Sequence, residues 1–569
     1  MSVIKELILN FSHHRKSDSY KINSSQILIS SDENSDDYIF NSNYMVLPSK
    51  EQQVEFSKAW KEVIEIYSNE SLIDVIISHE SYVYRRVFRP LSIWLNTIDK
   101  VIENNKINEV YIDEFYDGDE LFLYEAEGEV NRKVLYSSSF YLPVFINNYL
   151  SEYHPEIKVR LNRKNRFAKK AFYSARNLAF LSFMALKKFR NSEGISGSNV
   201  FSEKKIVASA RSLSQADYIA NLSSKLEDFI VLTSKQISQK EGNDALLNKK
   251  KVDYICVDRY LDKADVIKQL FNTIVSYFSF KSSFLLNYNG LEIPIKYLIK
   301  DMIIKSFDYY CLNSSVLSAL TKENIKPNLL ISCDIFSPHT HFLPSGEKTR
   351  KIQLQISSME PCAEANFIYS DAFYFYSEDI KNKFIKINPE LSGKALSIPP
   401  TQYYSNRVKD RIKNIKSIVY FSQPVLESEE IDLLKDLKAY CLCKSIRLSI
   451  KPHPRQDLSN LSSLDVHLLK KDCVNESVIY ENDLVITRTS SIGMDCWIMN
   501  APIIFVRESQ IFKNVIAEYI PRNYCGDVGS IRSAFDLIDS CTFLEGYYLT
   551  QNENFSSFSE LDLEKRLYG

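Results

Sequence analysis

The chain has 569 residues, 45% of them hydrophobic and 25% charged, with a formal net charge of −2. This length predicts about two or three domains, and the balanced charge excludes a global field that would attract nucleic acid. No apolar run approaches the roughly 18–20 residues of a membrane span. The first 25 residues lack a secretory signal pattern. The ten Cys contain no CxxC pair. We therefore expect a cytoplasmic protein with reduced thiols.

Short β-branched and aromatic runs alternate with amphipathic stretches over most of the chain. This alternation is typical of α/β layers around parallel sheets. In the first region, residues 1–160, the candidate strands are Gln26–Ser30, Asp74–Ser78 and Glu109–Asp113.

A basic segment follows, from Leu161 to Asn191, with nine Lys or Arg and no acid. The Gly-Ser-rich stretch after it indicates a flexible connection, so residues 161–200 form a basic helical segment and linker. One interpretation is an interdomain helix whose apolar face packs on a domain. The other is a peripheral contact with the anionic inner membrane.

Residues 201–405 resume the strand pattern and predict a Rossmann-like continuation of the amino-terminal half. His339 and His341 follow one of these strands, but no nearby acid or Cys completes an obvious ligand set, so we predict no metal site. The candidate strands are Lys205–Ala208, Phe229–Leu232, Val252–Val257, Leu329–Cys333, Ile352–Ile356 and Ala365–Tyr369.

Residues 406–569 carry the clearest β-α-β series and predict a nucleotide-binding domain. A helix with acids in its first turn, SEEIDLLKDLKAYCLC, follows the first strand of this series. The candidate strands are Ser417–Phe421, Ser445–Ile450, Leu484–Thr487 and Ile503–Val506.

The second of these strands runs into Lys451-Pro452-His453-Pro454-Arg455. Two prolines fix the backbone on either side of His453, and the carboxyl edge of a parallel sheet is where ligands bind. A pinned imidazole between Lys451 and Arg455 suits a phosphate leaving group. The simpler interpretation is a stiff turn with an exposed His.

Two further loops follow strands of the same series. Thr489, Ser490 and Ser491 precede a helix, where hydroxyls can bond a phosphate or simply cap the helix. Gln423 lies in Phe421-Ser422-Gln423-Pro424, after the first strand.

Together FSQP, KPHP and RTSS resemble motifs of the bacterial sialyltransferases and polysialyltransferases, which are GT-B glycosyltransferases. The resemblance covers about residues 417–506. It implies two Rossmann-like parallel-sheet domains facing a cleft, here with extra amino-terminal elements. It further implies an acceptor-side half before residue 406 and a nucleotide-sugar domain after it. By this resemblance His453 contacts the phosphate and assists its departure, and Ser490 and Ser491 bind it. We expect Gln423, Lys451, Arg455 and Thr489 to complete the donor site.

An inverting transfer also needs a base for the acceptor hydroxyl. The acids after strand Glu109–Asp113 are the candidates, with Asp113 first, then Asp117, then Glu114, although their spacing from Gly118 departs from the family pattern. The simpler interpretation is a solvated acidic turn.

The resemblance implies a CMP-linked donor, sialic acid-like or Kdo-like, and a bacterial surface glycan or lipid-linked glycan as acceptor. No cofactor is expected, because Lys, Arg and a helix N-terminus can supply the charge. Two alternatives stay open. One is a CDP-polyol phosphotransferase of surface-polymer synthesis, and the other is a non-catalytic GT-B-like scaffold.

Overall fold

The computed structural model describes the following parts of the chain. They are residues 6–10, 25–30, 48–66, 88–115, 142–163, 166–210, 213–223, 226–234, 243–281, 285–288, 290–294, 296–332, 349–355, 370–375, 378–397, 412–423, 427–453, 458–471, 475–488, 492–499, 501–507 and 526–540, with the single residues Asn23, Val46, Val83, Gln456, Cys473, Ser490 and Leu544. The chain divides into two compact units, and described residues up to Ser397 belong to the first and those from Ile412 to the second.

The first unit begins with a four-stranded parallel sheet in the order β2-β1-β3-β4. Its strands are β1 Glu6–Asn10, β2 Gln26–Ser30, β3 Glu109–Phe115 and β4 Lys158–Arg163. The helices of this region are α1 Lys50–Ile66, α2 Arg89–Asn105 and α3 Leu142–Tyr153. These are the predicted extra amino-terminal elements, and the predicted boundary after residue 160 falls inside β4.

The same unit contains a seven-stranded parallel sheet in the order β7-β6-β5-β10-β11-β12-β13. Its strands are β5 Ile206–Ala210, β6 Phe229–Thr233, β7 Tyr254–Cys256, β10 Leu329–Ser332, β11 Arg350–Leu354, β12 Ala372–Phe375 and β13 Ala395–Ser397. An antiparallel pair, β8 Leu285–Tyr288 and β9 Leu291–Pro294, lies outside it.

The helices of this second part of the first unit include the long basic one predicted from the sequence. They are α4 Arg166–Asn191, α5 Leu213–Ser223, α6 Asn243–Lys249, α7 Lys263–Ser279, α8 Lys296–Lys305, α9 Phe307–Lys322 and α10 Glu378–Ile387, with 3-10 turns Val257–Tyr260 and Pro389–Gly393. In the part of the chain that the structure describes, no helix is both long and apolar enough to cross a membrane.

The second unit is built on a six-stranded parallel sheet in the order β16-β15-β14-β17-β18-β19. Its strands are β14 Ser417–Phe421, β15 Arg447–Lys451, β16 His467–Leu468, β17 Leu484–Thr487, β18 Ile503–Val506 and β19 Gly526–Val528. Its helices are α11 Glu427–Cys443, α12 Ser459–Ser462, α13 Asn475–Glu481, α14 Ile492–Ile498 and α15 Ile531–Ser540.

The two larger sheets share the strand order 3-2-1-4 around their first strand, which is the Rossmann order. The order reverses between β5 and β10 in the first unit and between β14 and β17 in the second. Their central strands are buried along their whole length, as expected of sheets with both faces covered. The predicted α/β class with two Rossmann-like parallel sheets is confirmed, and it is the architecture that the GT-B class requires of each domain.

Asp483 links the amino ends of β14 and β17, the two central strands of the second unit, by hydrogen bonds. One carboxylate oxygen accepts hydrogen bonds from the Lys416 and Ser417 amides and from the Ser417 hydroxyl, each at 2.9 Å. The Asp483 amide donates back to Ser417 Oγ at 3.0 Å. This exchange fixes the register of β14 against β17.

Candidate functional site

Three of the predicted motifs lie at one edge of the six-stranded sheet. Ser422 and Gln423 follow β14, His453 follows β15, and Ser490 follows β17. Since these three strands are neighbours and parallel, their carboxyl ends share one edge. The strand order reverses between β14 and β17, and this is the position at which open α/β sheets bind ligands.

His453 is half-buried on a tight turn that Gln456 closes. The Gln456 amide donates to the His453 carbonyl at 3.0 Å, and the His453 amide donates to Gln456 Oε1 at 3.4 Å. Pro452 is buried and fixes the backbone before the imidazole. The backbone of His453 therefore bonds to both the backbone and the side chain of Gln456.

A buried carboxylate, Glu430, lies at the centre of this edge and organises it. It is fully buried on α11 and accepts the Tyr420 hydroxyl and the Gln423 amide at 3.0 Å each. Burial and the Glu430 charge hold the pKa of Tyr420 well above its usual value, so this hydroxyl stays protonated and donates. The loop after β14 is thus tied to the first turns of α11.

The second Glu430 oxygen extends the network toward the His453 turn. Ser422 Oγ lies 2.7 Å from Glu430 Oε2 and 2.6 Å from Gln456 Oε1, and its single proton serves one of them at a time. Gln456 Nε2 also donates to Glu430 Oε2 at 3.0 Å. One carboxylate therefore connects the loops after β14 and β15.

Arg488 supplies the cation that offsets the buried Glu430 charge. Its Nη2 lies 3.4 Å from Glu430 Oε1, and only 3% of its side chain is exposed. Arg488 directly follows β17, so the ion pair connects the third strand end to the same centre. Thr487 adds a bond from its hydroxyl to the Phe421 carbonyl at 2.9 Å.

Lys451 is also buried, and its ammonium donates to the Lys471 carbonyl at 2.6 Å. The Lys471 ammonium in turn donates to the Gln456 carbonyl. These two bonds fasten the loop that carries His453. The Lys451 charge lies at the sheet edge. Because its ammonium is hydrogen-bonded to the Lys471 carbonyl, Lys451 stabilises the loop.

Ser490 caps α14, the short helix after β17. Its hydroxyl oxygen accepts the Ile492 amide at 3.3 Å, which is the helix-capping interpretation of the Ser pair. A hydroxyl that accepts one bond can still donate its own proton. Capping and ligand contact are therefore compatible at this residue.

Asp495, in the first turn of α14, is a second titratable group of this region with a shifted pKa. Burial of its carboxyl raises the pKa to about 7. A carboxyl in this state can hold or release a proton near neutral pH.

The remaining predicted residues of this site lie elsewhere or outside the described parts. Arg455, Thr489, Ser491 and Asp117 are outside the described residues, as are His339 and His341. Gln423 is buried at the edge. Among described residues, no group of three or more His, Cys, Asp or Glu is placed to hold a metal ion.

Asp113 lies in β3 of the four-stranded sheet, which is not one of the two Rossmann-like sheets. Its side chain is fully buried and its Oδ1 accepts from Asn162 Nδ2 on β4. A carboxylate in this position connects β3 with β4 and exposes no oxygen to solvent.

A second switch-point edge lies in the first unit, where Ser209, Ser332 and Gln353 stand side by side. Ser332 pairs in register with both Ser209 on β5 and Gln353 on β11, so the three side chains share one face of the sheet. All three are buried. Ser370 donates to Gln353 Oε1 at 3.0 Å, whereas Gln353 Nε2 and Ser209 Oγ have no hydrogen-bond partner within the described parts.

Sequence reasoning missed Glu430 and Gln456. Glu430 is one of several acids at the start of α11, and its neighbour Asp432 is exposed, so composition does not single it out. The usable signal is position: the helix after the first strand of a Rossmann-like domain begins at the ligand edge.

Comparison with known proteins yields structural likeness only. No family model matches the chain, and no curated protein matches its sequence. The similar solved structures include S. aureus MnaA with UDP (TM-score 0.41, 11% identity, 64% of this chain and 96% of that one). They also include the calicheamicin glycosyltransferase CalG4 (0.41, 9%, 64% and 98%) and a variant of the wall teichoic acid polymerase TagF (0.38, 11%, 70% and 96%). These TM-scores are below 0.5, so the fold and the function are inferred from the chain's own residues.

Proposed function

We propose that the second unit binds a nucleotide-activated sugar and that the chain is an inverting glycosyltransferase of the GT-B type. The donor is a CMP-linked sialic acid-like or Kdo-like sugar, and the acceptor is a bacterial surface glycan. The observation that carries the proposal is the placement of Gln423, His453 and Ser490 at one switch-point edge of a Rossmann-like sheet. Each belongs to one of the FSQP, KPHP and RTSS motifs. Three motif loops that are separate in sequence converge where a nucleotide phosphate binds in this fold.

In the proposed reaction the acceptor oxygen attacks the anomeric carbon as the bond from that carbon to the phosphate oxygen breaks. His453 donates a hydrogen bond or proton to the departing phosphate, and the Ser490 hydroxyl donates to the same group. Thr489, Ser491, Arg455 and Gln423 complete the proposed donor contacts. Lys451, fastened to Lys471, keeps the His453 loop in position.

The acceptor proton passes to a carboxylate, for which Asp113 and Asp117 are the candidates. The buried Asp113 carboxylate has no exposed oxygen, whereas a base must reach within hydrogen-bond distance of its substrate. Asp117→Asn is therefore the first base variant to assay for transfer, with Asp113→Asn as its comparison. The base assignment fails if both variants retain wild-type transfer.

Nucleotide binding is tested by thermal shift with CMP, CDP, UMP, UDP and GDP. We expect CMP or CDP to raise the melting temperature, because a ligand that binds only the folded state stabilises it. His453→Ala and Ser490→Ala should reduce this rise. His467→Ala, which replaces an exposed His in the same sheet, is the matched control and should retain it.

The outcomes separate the donors. Stabilisation by uridine or guanosine nucleotides alone would remove the cytidine donor, and no stabilisation by any nucleotide would favour the non-catalytic scaffold. After a cytidine response, CMP-sialic acid, CMP-Kdo and CDP-glycerol are compared as substrates. A product that gains phosphorus identifies the CDP-polyol phosphotransferase instead.

A further inference from the structure

Helix α7 presents a continuous apolar stripe to solvent. Ile267, Phe271, Val275 and Phe278 are 57%, 66%, 46% and 59% exposed. Their spacing of four, four and three residues places them on one face of the helix. The opposite face is buried through residues such as Tyr277, so the stripe is additional to the face that packs on the unit.

The basic helix α4 exposes a second apolar group next to it. Phe180, Phe183 and Leu186 are 47%, 62% and 49% exposed. The two helices pack against each other, and Lys263 Nζ of α7 lies 5.1 Å from the centre of the Phe189 ring of α4.

The two apolar groups extend from this contact. Leu186 is three residues before Phe189, and Ile267 is four residues after Lys263, so each lies on the face of its helix that makes the contact. Of the fifteen large hydrophobic side chains exposed in the described parts, seven lie on these two helices. The others are spread singly over the two units, which is normal for a soluble surface.

The exposed charges on the two helices themselves are positive, whereas Lys188 of α4 is paired with Asp308 and Asp258. The segment that contains α4 has nine Lys or Arg and no acid. Arg190 is exposed on the same side of the helix as Phe183, two turns further along. On α7, Lys263 and Lys268 are exposed at the two sides of the stripe. Asp265 is the single acid of α7 and lies on the side of the helix opposite Ile267.

We propose that α4 and α7 together form a surface that binds an anionic lipid bilayer. The apolar side chains enter the boundary between headgroups and acyl chains, while Arg190, Lys263 and Lys268 contact the anionic headgroups. A second copy of the chain fits less well, because it would bring one basic helix against another. The surface lies on the first unit.

The test is flotation of the full-length chain with vesicles of neutral phosphatidylcholine, with and without about one-third phosphatidylglycerol. We expect binding to the anionic vesicles that weakens with salt. The Phe271→Ser and Phe278→Ser double variant should lower the partition coefficient roughly tenfold or more. Arg190→Gln and Lys268→Gln should each lower it roughly fivefold.

The matched control replaces two other exposed apolar residues, Val200→Ser and Leu442→Ser. They are 64% and 70% exposed and lie outside both helices, so this variant should bind as wild type does. The proposal is overturned if the chain does not float with anionic vesicles, or if the Phe variant binds as well as the control. It is also overturned if the Phe variant abolishes self-association while vesicle binding is absent, because a second copy would then be the partner.

Discussion

The two Rossmann-like sheets reverse their strand order in the same way, yet the switch-point edges differ in how their polar groups are satisfied. At the six-stranded sheet, Glu430 contacts Tyr420, Ser422, Gln456 and Arg488 in one buried network. At the seven-stranded sheet, Gln353 Nε2 and Ser209 Oγ have no hydrogen-bond partner within the described parts.

The two edges therefore differ in whether their buried polar groups are already hydrogen-bonded when no ligand is present. The Glu430 network connects the three loops without a ligand, so a ligand meets donors that are already oriented. A buried polar atom without a partner costs about 1–3 kcal/mol, and a ligand, a water or another part of the chain can offset that cost. The following predictions test this contrast.

Removing Glu430 should have the largest effect. Glu430→Ala leaves Arg488 buried without its carboxylate, and the loss of one partner of a buried pair costs about 3–5 kcal/mol. The free energy of unfolding is measured by urea denaturation, with hydrogen exchange used to locate the change in peptides of the second unit. Asp432→Ala, at an exposed acid of the same helix, is the control and should cost less than about 1 kcal/mol. Equal stability of the two variants would contradict the central role of Glu430.

Asp495 should make the second unit less stable as pH rises. Burial raises its folded-state pKa to about 7, above the unfolded value of about 3.9. Its favourable contribution is therefore complete below about pH 4 and is lost as pH rises through 7. Asp495→Asn should be more stable than wild type at pH 8 by about 2–4 kcal/mol, and this difference should shrink at pH 5. A difference independent of pH would exclude titration of Asp495 as its cause.

Apolar replacement at the seven-stranded edge should cost little. Gln353→Met with Ser370→Ala removes both partners of one hydrogen bond and also the unsatisfied Nε2. The free energy of unfolding should therefore stay within about 1 kcal/mol of the wild-type value. Urea denaturation and hydrogen exchange in the first unit measure it. A loss as large as that of Glu430→Ala would show that this edge is as strongly networked as the other.

Ser490 should have the smallest effect on stability. Ser490→Ala removes the cap of α14 and should cost about 1 kcal/mol, whereas Ser490→Asn keeps a capping group. Comparing the two by thermal denaturation separates the cap from ligand contact. If Asn restores stability but not the nucleotide response, the hydroxyl has a role beyond capping.

The central strands of the second unit were predictable from sequence because their burial on both faces produces continuous apolar runs. Ser417–Phe421, Leu484–Thr487 and Ile503–Val506 were predicted with their observed ends. The strand predicted to begin at Ser445 begins at Arg447, because Ser445 has a φ of +57° at the end of α11, a conformation that ends helices.

The site was predictable only where a motif lies directly at a strand end. His453 and Ser490 lie two and three residues after their strands, so parallel pairing alone places both at the same edge of the sheet. Glu430 becomes the buried carboxylate of the site because of how α11 packs on the sheet. Its acidic neighbours are of the same residue type and differ from it only in that packing. The pairing of Arg488 with Glu430 spans 58 positions and likewise depends on the tertiary fold.

The Asp483 bonds to Ser417 have a consequence for the order in which the second unit folds. The two strands that they join, β14 and β17, are central in the sheet but far apart in sequence, so their pairing requires closure of a long loop. Within the second unit, the β14-α11-β15 segment is synthesised before β17, so one side of β14 is at first unpaired. Until Asp483 emerges, that side is an open strand edge to which another chain can pair. We therefore expect slower synthesis between β15 and the end of β17 to lengthen the exposure of this edge.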